Sequence, residues 1–274
     1  ALAPLSQANA GAWLQPAGHG QFISQASYYT SDAFFDREGQ KTPQPRFSKI
    51  EFQPYVEYGA LENLTLGATG YTQYVTQSGN KNIGLADPEI FARTKIWNDD
   101  TSLISIQPLI KFSSHFAKDL PPRGGSQSTD LELSILYGRN LNILSKNDYL
   151  DTRAGYRHRA NRLNDQWRGD IALGLEFMPN WYVTPAIRSI IATKISNTIP
   201  FSENGDQDYD LIKVEVGVHY RINSQQYAGV SVFNHVYGTQ TGNGTGVIAS
   251  FSRALTEGLS AKQSDAEFDK TLAA

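Results

Sequence analysis

The sequence predicts an all-β protein: a closed, antiparallel, up-and-down transmembrane β-barrel of about twelve strands. Three observations carry this. Segment after segment alternates apolar and polar residues with a period of two, these segments run to ten or more residues, long by soluble standards, and no run of about 18 apolar residues exists from which a transmembrane helix could form. Leu211 to Arg221 shows the pattern best: Ile212, Val214, Val216, Val218 and Tyr220 alternate with Lys213, Glu215, His219 and Arg221. Such a strand has one apolar and one polar face. A soluble β-sandwich would bury the first face against a second sheet, whereas a membrane barrel would turn it to lipid and fill its lumen with the second.

The strands follow in order. The first is Gln21 to about Phe35, and Asp36 to Arg46, with Gly39, Pro43 and Pro45, reads as a loop. Alternation returns from Phe47 to Tyr58, Gly59 to Asn63 turns the chain, and Leu64 to Gln77 forms the third strand. Ser78 to Gly84 reads as a loop. Ile90, Ala92, Thr94 and Ile96 then mark the fourth strand, and Ile104, Ile106, Ile110 and Phe112 the fifth. About His115 to Thr129 is a long polar loop. Leu131, Leu133, Ile135 and Tyr137 form the apolar face of the sixth strand, and Leu150, Thr152, Ala154 and Tyr156 that of the seventh. The eighth begins near Trp167, and Pro179-Asn180 turns it into a ninth that starts at Trp181. Thr198 to Asp208 is a loop before the tenth strand. The eleventh runs from about Gln226 to Tyr237, Gly238 to Gly244 is a loop, and the twelfth runs from about Thr245 to Leu255.

Two regularities favour the barrel over the sandwich. Connections after odd strands read as long and polar and most of those after even strands as tight turns, the one after the sixth being a longer exception, as when one barrel end carries short turns. Aromatic residues cluster at strand ends: Tyr28, Tyr29, Phe34, Phe35, Tyr58, Trp97, Trp167, Phe177, Trp181, Tyr182, Tyr220 and Tyr237. Rings at a bilayer interface sit with the apolar side in and the polar tip out. The domain organisation is then an irregular segment over 1–20, lying either outside the fold or inside the lumen as a plug or constriction, a barrel over 21–255 and a tail over 256–274.

Charge and composition narrow the function. With Lys+Arg 24 against Asp+Glu 27, the 274-residue chain has no basic excess for nucleic acid. The absence of cysteine removes disulfides, zinc–thiolate sites and cysteine nucleophiles together. Ala8-Asn9-Ala10 before Gly11 resembles a small-residue cleavage site. Long charged groups of both signs recur at mid-strand on the polar face: Lys49, Glu51, Arg93, Lys95, Lys111, Arg153, Arg157, Arg168, Asp170, Arg188, Lys213, Glu215 and His219. These are the candidate pore-lining residues. Catalytic and metal-ligating residues are expected to be none, and no cofactor is expected.

Gly11-Ala12-Trp13-Leu14-Gln15-Pro16-Ala17-Gly18-His19-Gly20, Asn63-Leu64-Thr65-Leu66-Gly67 and Gly84-Leu85-Ala86-Asp87-Pro88-Glu89-Ile90 resemble the outer-membrane transporter family of the meta-pathway of phenol degradation. The resemblance covers about the first hundred residues by motif and the rest by strand rhythm. It implies a monomeric barrel of about twelve strands in a Gram-negative outer membrane, passing small, aromatic or apolar molecules. Barrels of this class end on an aromatic residue, whereas here Phe251 is followed by a tail.

The expected function is therefore passive uptake of a small-molecule solute through a bacterial outer-membrane channel, a monomer among outer-membrane lipids that binds no nucleic acid. Twelve strands lie between the eight that leave a filled lumen and the sixteen that leave a wide channel, so the pore should be narrow. One alternative is a lipid or lipopolysaccharide hydrolase in the same barrel, with His219 or His235 as base and Ser231 on the face of His235. No G-x-S-x-G elbow and no H-E-x-x-H supports it, and a structural lumen histidine is the favoured reading. Another is a soluble β-sandwich binding module.

Overall fold

In the computed structural model, residues 11–114, 128–160, 163–195 and 208–255 are described. Twelve strands account for most of them: β1 (Gly20–Phe35), β2 (Lys41–Leu61), β3 (Leu64–Gln77), β4 (Asn80–Asn98), β5 (Ser102–Lys111), β6 (Asp130–Leu141), β7 (Asp148–Arg159), β8 (Gln166–Met178), β9 (Trp181–Ala192), β10 (Asp210–Arg221), β11 (Gln226–Thr239) and β12 (Thr241–Leu255). Each pairs antiparallel with its neighbours in sequence, and β1 pairs with β12 from Gly20↔Leu255 to Phe35↔Thr241, which closes the barrel. Closure satisfies the edges that an open sheet would expose. It also rules out the two-sheet sandwich.

Because the side-chain period is two, one register sorts every strand into a face inside the barrel and a face outside it. The outer face is apolar: Leu131, Leu133 and Ile135 on β6 stand 54, 53 and 56% exposed, and Val230 and Val232 on β11 match them. Monomeric soluble proteins rarely expose contiguous apolar surface on this scale. In a bilayer the same band meets hydrocarbon.

Exposed rings flank the band in two groups. At the short-turn end Trp181 packs on Tyr220, with Tyr58, Trp97 and Phe177 also outward, and towards the other end Tyr156 packs on Trp167, with Tyr28 and Tyr237 outward. Tyr29, Phe35 and Tyr182 depart from the girdle expectation, because they occupy inward positions and are buried. Aromatic residues therefore serve the lumen as well as the interface.

The turns after even strands span 62–63, 99–101, 142–147, 179–180 and 222–225. After the odd strands the expected long loops are partly replaced by strand. Ser78 and Gly79 alone join β3 to β4, both at positive φ (52° and 82°), the backbone that a two-residue type I′ hairpin needs. Residues 80–84 belong to β4, Lys41 to Arg46 to β2, and only Gln240 separates β11 from β12. Pro45 is accommodated in β2 because it falls in the stretch 44–46 skipped where the register slips between Ser31 and Ala33, with Pro43 next to it opposite Ala33, and a bulge tolerates a residue without an N–H donor. The loops expected near 115–129 and 198–208 fall almost wholly outside the described residues, as do the tail over 256–274 and residues 1–10.

Candidate functional site: the lumen

The inward face carries the polar half of every alternation, so the lumen is where the charges meet. An ion-pair ladder runs around the wall. Lys111 Nζ lies 3.4 Å from Asp87 and 2.7 Å from Asp130. Arg157 reaches Asp130 at 3.9 Å, Glu89 at 2.8 Å and Glu132 at 2.7 Å. Arg153 spans Glu132 (3.6 Å) and Asp170 (2.5 Å), and Arg188 spans Asp170 (3.8 Å) and Glu215 (3.4 Å). Lys213 closes on Glu215 at 3.3 Å, and across β2 Lys49 pairs with Glu51 at 3.1 Å. Opposite charges interleave along the ladder, and where two cations face each other, Lys213 and Arg188, they share Glu215, so the ladder's buried charges have the counter-ions without which their burial would be prohibitive.

Glu132 is the hub. Its carboxylate side chain is fully buried, accepts from Ser134 Oγ at 2.7 Å and lies 3.7 Å from Arg168 Nε as well as next to Arg153 and Arg157. The Arg168 side chain makes no hydrogen bond to any described residue, so its guanidinium is the least committed cation of the ladder.

The ladder borders a cavity of about 640 Å³ in the half of the barrel away from the short turns. Lys49, Glu51, Arg153, Arg168, Asp170, Arg188 and Lys213 line it. Arg157 and Glu215 do not line it and form its backing, since both are buried within the ladder. Lys111 lies in its own triad with Asp87 and Asp130. His219 is 3% exposed, hydrogen-bonded through Nε2 to Thr184 Oγ1 at 2.9 Å and packed over Gly229. Lys95 is exposed at the short-turn mouth, beside Asn98 and Asp99. Thus seven of the thirteen candidates share one cavity, and six do not.

Opposite the cations of β7 to β10 the cavity wall carries an apolar patch set among amides and hydroxyls, for Gln25, Ser27, Gln53 and Gln73 line it as well as Lys49 and Glu51. Tyr29 of β1 lies parallel to Phe233 of β11 at 6.0 Å between centroids and edge-on to Phe47 of β2 at 6.2 Å. Ile248 of β12 completes that cluster, and Val75 of β3 extends the wall. By strand order the patch lies on the arc β3-β2-β1-β12-β11, while Arg153, Arg168, Arg188 and Lys213 of β7 to β10 stand on the facing arc. The sequence reading missed these rings because it sought aromatics at the interface. It missed Glu132 because only the apolar face of the sixth strand was traced, and it left Glu89 out of the lining set although Glu89 shares the polar face of the fourth strand with Arg93 and Lys95.

The two histidines proposed as bases stand far apart. His219 is opposite Gly229 and His235 opposite Lys213, six residues along β10, or about 20 Å at 3.3 Å per residue. His235 Nδ1 is 2.8 Å from the Gly242 carbonyl and 3.3 Å from Tyr29 Oη. No carboxylate partner is recorded for it among the described residues.

Toward the short turns, residues 11–16 run inside the ring of strands. Their backbone is held at four points: Ala12 N donates to Asp151 Oδ1 (3.2 Å), Ser105 Oγ donates to the Ala12 carbonyl (2.5 Å), Arg93 Nη1 donates to the Trp13 carbonyl (2.6 Å), and Gln15 N donates to Thr65 Oγ1 (2.9 Å). Gln15 Nε2 also donates to Glu57 at 2.5 Å. Arg93, 1% exposed, is anchored by Glu57 at 3.3 Å and Gln107 at 3.0 Å. Around the segment the inward faces turn apolar, with Ala12, Trp13 and Leu14 packed among Ile23, Tyr55, Phe91, Leu103, Leu109 and Leu136. Trp13 meets Tyr149 edge-on at 6.1 Å and fits over Gly138, where a Cβ would stand 2.7 Å from the indole. Two of the sequence motifs noted above thereby touch, through Gln15 and Thr65.

No protein-family model matches the chain. Among solved structures it is similar to an outer-membrane channel, the COG4313 channel from Pseudomonas putida F1, with TM-score 0.74 and 11% identity over 92% of this chain and 100% of that one. It is also similar to the NanC porin, with TM-score 0.56 and 10% identity over 85% and 98%. The fold is that of bacterial outer-membrane β-barrel channels, and the apolar outer band fits such a membrane.

Proposed function

We propose that the chain is a passive outer-membrane channel for small solutes, acting as a monomer, and that aromatic and apolar molecules are among its solutes. The observation that carries this reading is the pairing of a lipid-compatible exterior with an interior that keeps an open cavity of about 640 Å³ between charged side chains. A barrel that served only as a scaffold would gain stability by filling that space with interdigitating side chains. Selection would act through size and local field, as in other pores lined by charged rings. The resemblance carried by residues 11–20, 63–67 and 84–90, together with the aromatic wall, supports aromatic solutes. In this reading residues 11–16 form the constriction, because they occupy the lumen beneath the cavity.

Single-channel recording of the purified full chain in a planar lipid bilayer tests it. Discrete, reproducible current steps are the expected result. Absence of current from protein shown to have inserted would refute the channel.

A further inference from the structure

The cavity has two unlike walls, and together they specify a ligand that neither would select alone. We propose that it is a selectivity site for amphipathic organic acids, in which a carboxylate meets the cationic arc of β7 to β10 while an aromatic or aliphatic body lies on Tyr29 and Phe233. This rests on the channel reading and deepens it by naming the solute class.

Five cationic side chains line the cavity, Lys49, Arg153, Arg168, Arg188 and Lys213, against two carboxylates, Glu51 and Asp170. The ladder as a whole is balanced, but Glu132 and Glu215 sit fully buried behind the arginines. A solute in the cavity therefore meets guanidinium and ammonium groups first. The Arg168 side chain has no hydrogen-bond partner among the described residues and its Nε is turned toward Glu132, so an incoming carboxylate gains the terminal guanidinium donors without displacing another acceptor. Lys213 marks the seam between the walls: its Nζ bonds Glu215 at 3.3 Å and lies 4.7 Å from the centroid of the Phe233 ring. A ring on Phe233 thus brings its carboxylate to Lys213 and Arg188 within one small molecule's length.

Simpler solutes use half of this surface. An inorganic anion leaves the parallel rings, Ile248 and Val75 idle, and an uncharged apolar solute covers cations with no acceptor to offer them. An acidic sugar would find amide and hydroxyl partners in Gln25, Ser27, Gln53 and Gln73 but would leave the parallel rings uncovered. The cavity volume is in the range that holds small organic ligands.

The test uses benzoate, acetate, benzyl alcohol and glucuronate as probes on the full chain in a planar bilayer, read as block of the potassium chloride current. Benzoate is expected to reach half-block at a concentration about tenfold below each of the others. Phe233→Ala should raise the benzoate value about threefold or more and leave acetate unchanged, as expected for loss of one ring contact. Arg168→Gln should raise both acids, and Arg168→Lys should restore much of the loss. If Phe233→Ala does not form a barrel, Phe233→Leu replaces it with the same prediction.

Equal block by benzyl alcohol and benzoate would overturn the role of the cations, and equal block by acetate or glucuronate would overturn that of the apolar wall. Current without preferential block leaves the channel standing and removes the site. If inserted protein carries no current, the channel falls, and equilibrium dialysis of radiolabelled benzoate against the detergent-purified protein decides the site separately: saturable binding weakened by Arg168→Gln upholds it, and no saturable binding overturns it.

Discussion

Removing the charge of Glu132 without changing its shape is the sharpest probe of the lumen. Glu132→Gln deletes the carboxylate that faces Arg153, Arg157 and Arg168 at 3.6, 2.7 and 3.7 Å, and so adds one net positive charge behind the cavity. A permeating ion touching Arg153 or Arg168 sits about 8 Å from that carboxylate, where a unit charge contributes about 0.5 kcal/mol in bulk-water dielectric. That changes the local concentration of an anion about twofold upward and of a cation about twofold downward. The anion-to-cation permeability ratio should therefore rise about three- to fivefold. Screening over about 10 Å at 0.1 M salt trims the effect, and focusing by low-dielectric walls enlarges it. The reversal potential in a tenfold potassium chloride gradient reads the ratio directly. An unchanged ratio in a folded, inserted variant would mean that ions do not pass along this wall. Breaking a buried ion pair on one side also costs about 3–5 kcal/mol, so a lower unfolding temperature should accompany the shift.

The other predictions concern the remaining parts of the barrel. Deleting residues 1–16, or replacing Gly138 by Val so that Trp13 loses its seat, should raise single-channel conductance; equal conductance would exclude residues 11–16 as the constriction. Leu133→Arg places a charge on the outward face of β6 and should destabilise the inserted barrel by about 2–4 kcal/mol, measured by urea titration in lipid vesicles, with no loss if that face does not meet hydrocarbon. At the turn between β4 and β5, Asp99 is held below its ordinary 3.8 by hydrogen bonds from the Thr101 and Ser102 amides and the Thr101 hydroxyl. A depressed carboxyl contributes stability that is complete above its unfolded value and is lost as pH falls through the folded one. The difference in unfolding temperature between the native chain and Asp99→Asn should thus shrink as pH drops below about 3.8 and be constant at neutral pH. A difference that does not change with pH would refute the turn's dependence on that charge.

Alternation made the barrel legible in the sequence because one period serves both faces. Leu131, Leu133 and Ile135 announced lipid, and Lys213 with Glu215 announced the lumen. The bounds of β3, Leu64–Gln77, could be read directly from the onset and end of that alternation. Glycine was ambiguous: Gly242, Gly244 and Gly246 resemble a loop, yet they lie in β12 against Tyr29 and Phe233, where a Cβ would collide with the rings or the β1 backbone. A residue that signals a turn by its backbone signals a ring neighbour by its missing side chain, and only the fold tells the two apart. Residues 11–16 were harder still. Their partners, Thr65, Arg93, Ser105 and Asp151, come from four strands and share no local pattern, so spacing could not indicate where the segment would bind.

That dispersion has a consequence in time. The bonds holding residues 11–16 join positions 50, 80, 93 and 139 residues apart, and the last needs β7 in place. Contacts of such separation form late, after the chain between them has been ordered. The strands that carry those partners, β3, β4, β5 and β7, therefore have to be in place before the segment is fully held, although it is nearest the start of the chain. The closing pair of β1 with β12 spans more of the chain still, from Gly20 to Leu255, so by the same reasoning the segment can be held before the barrel shuts around it.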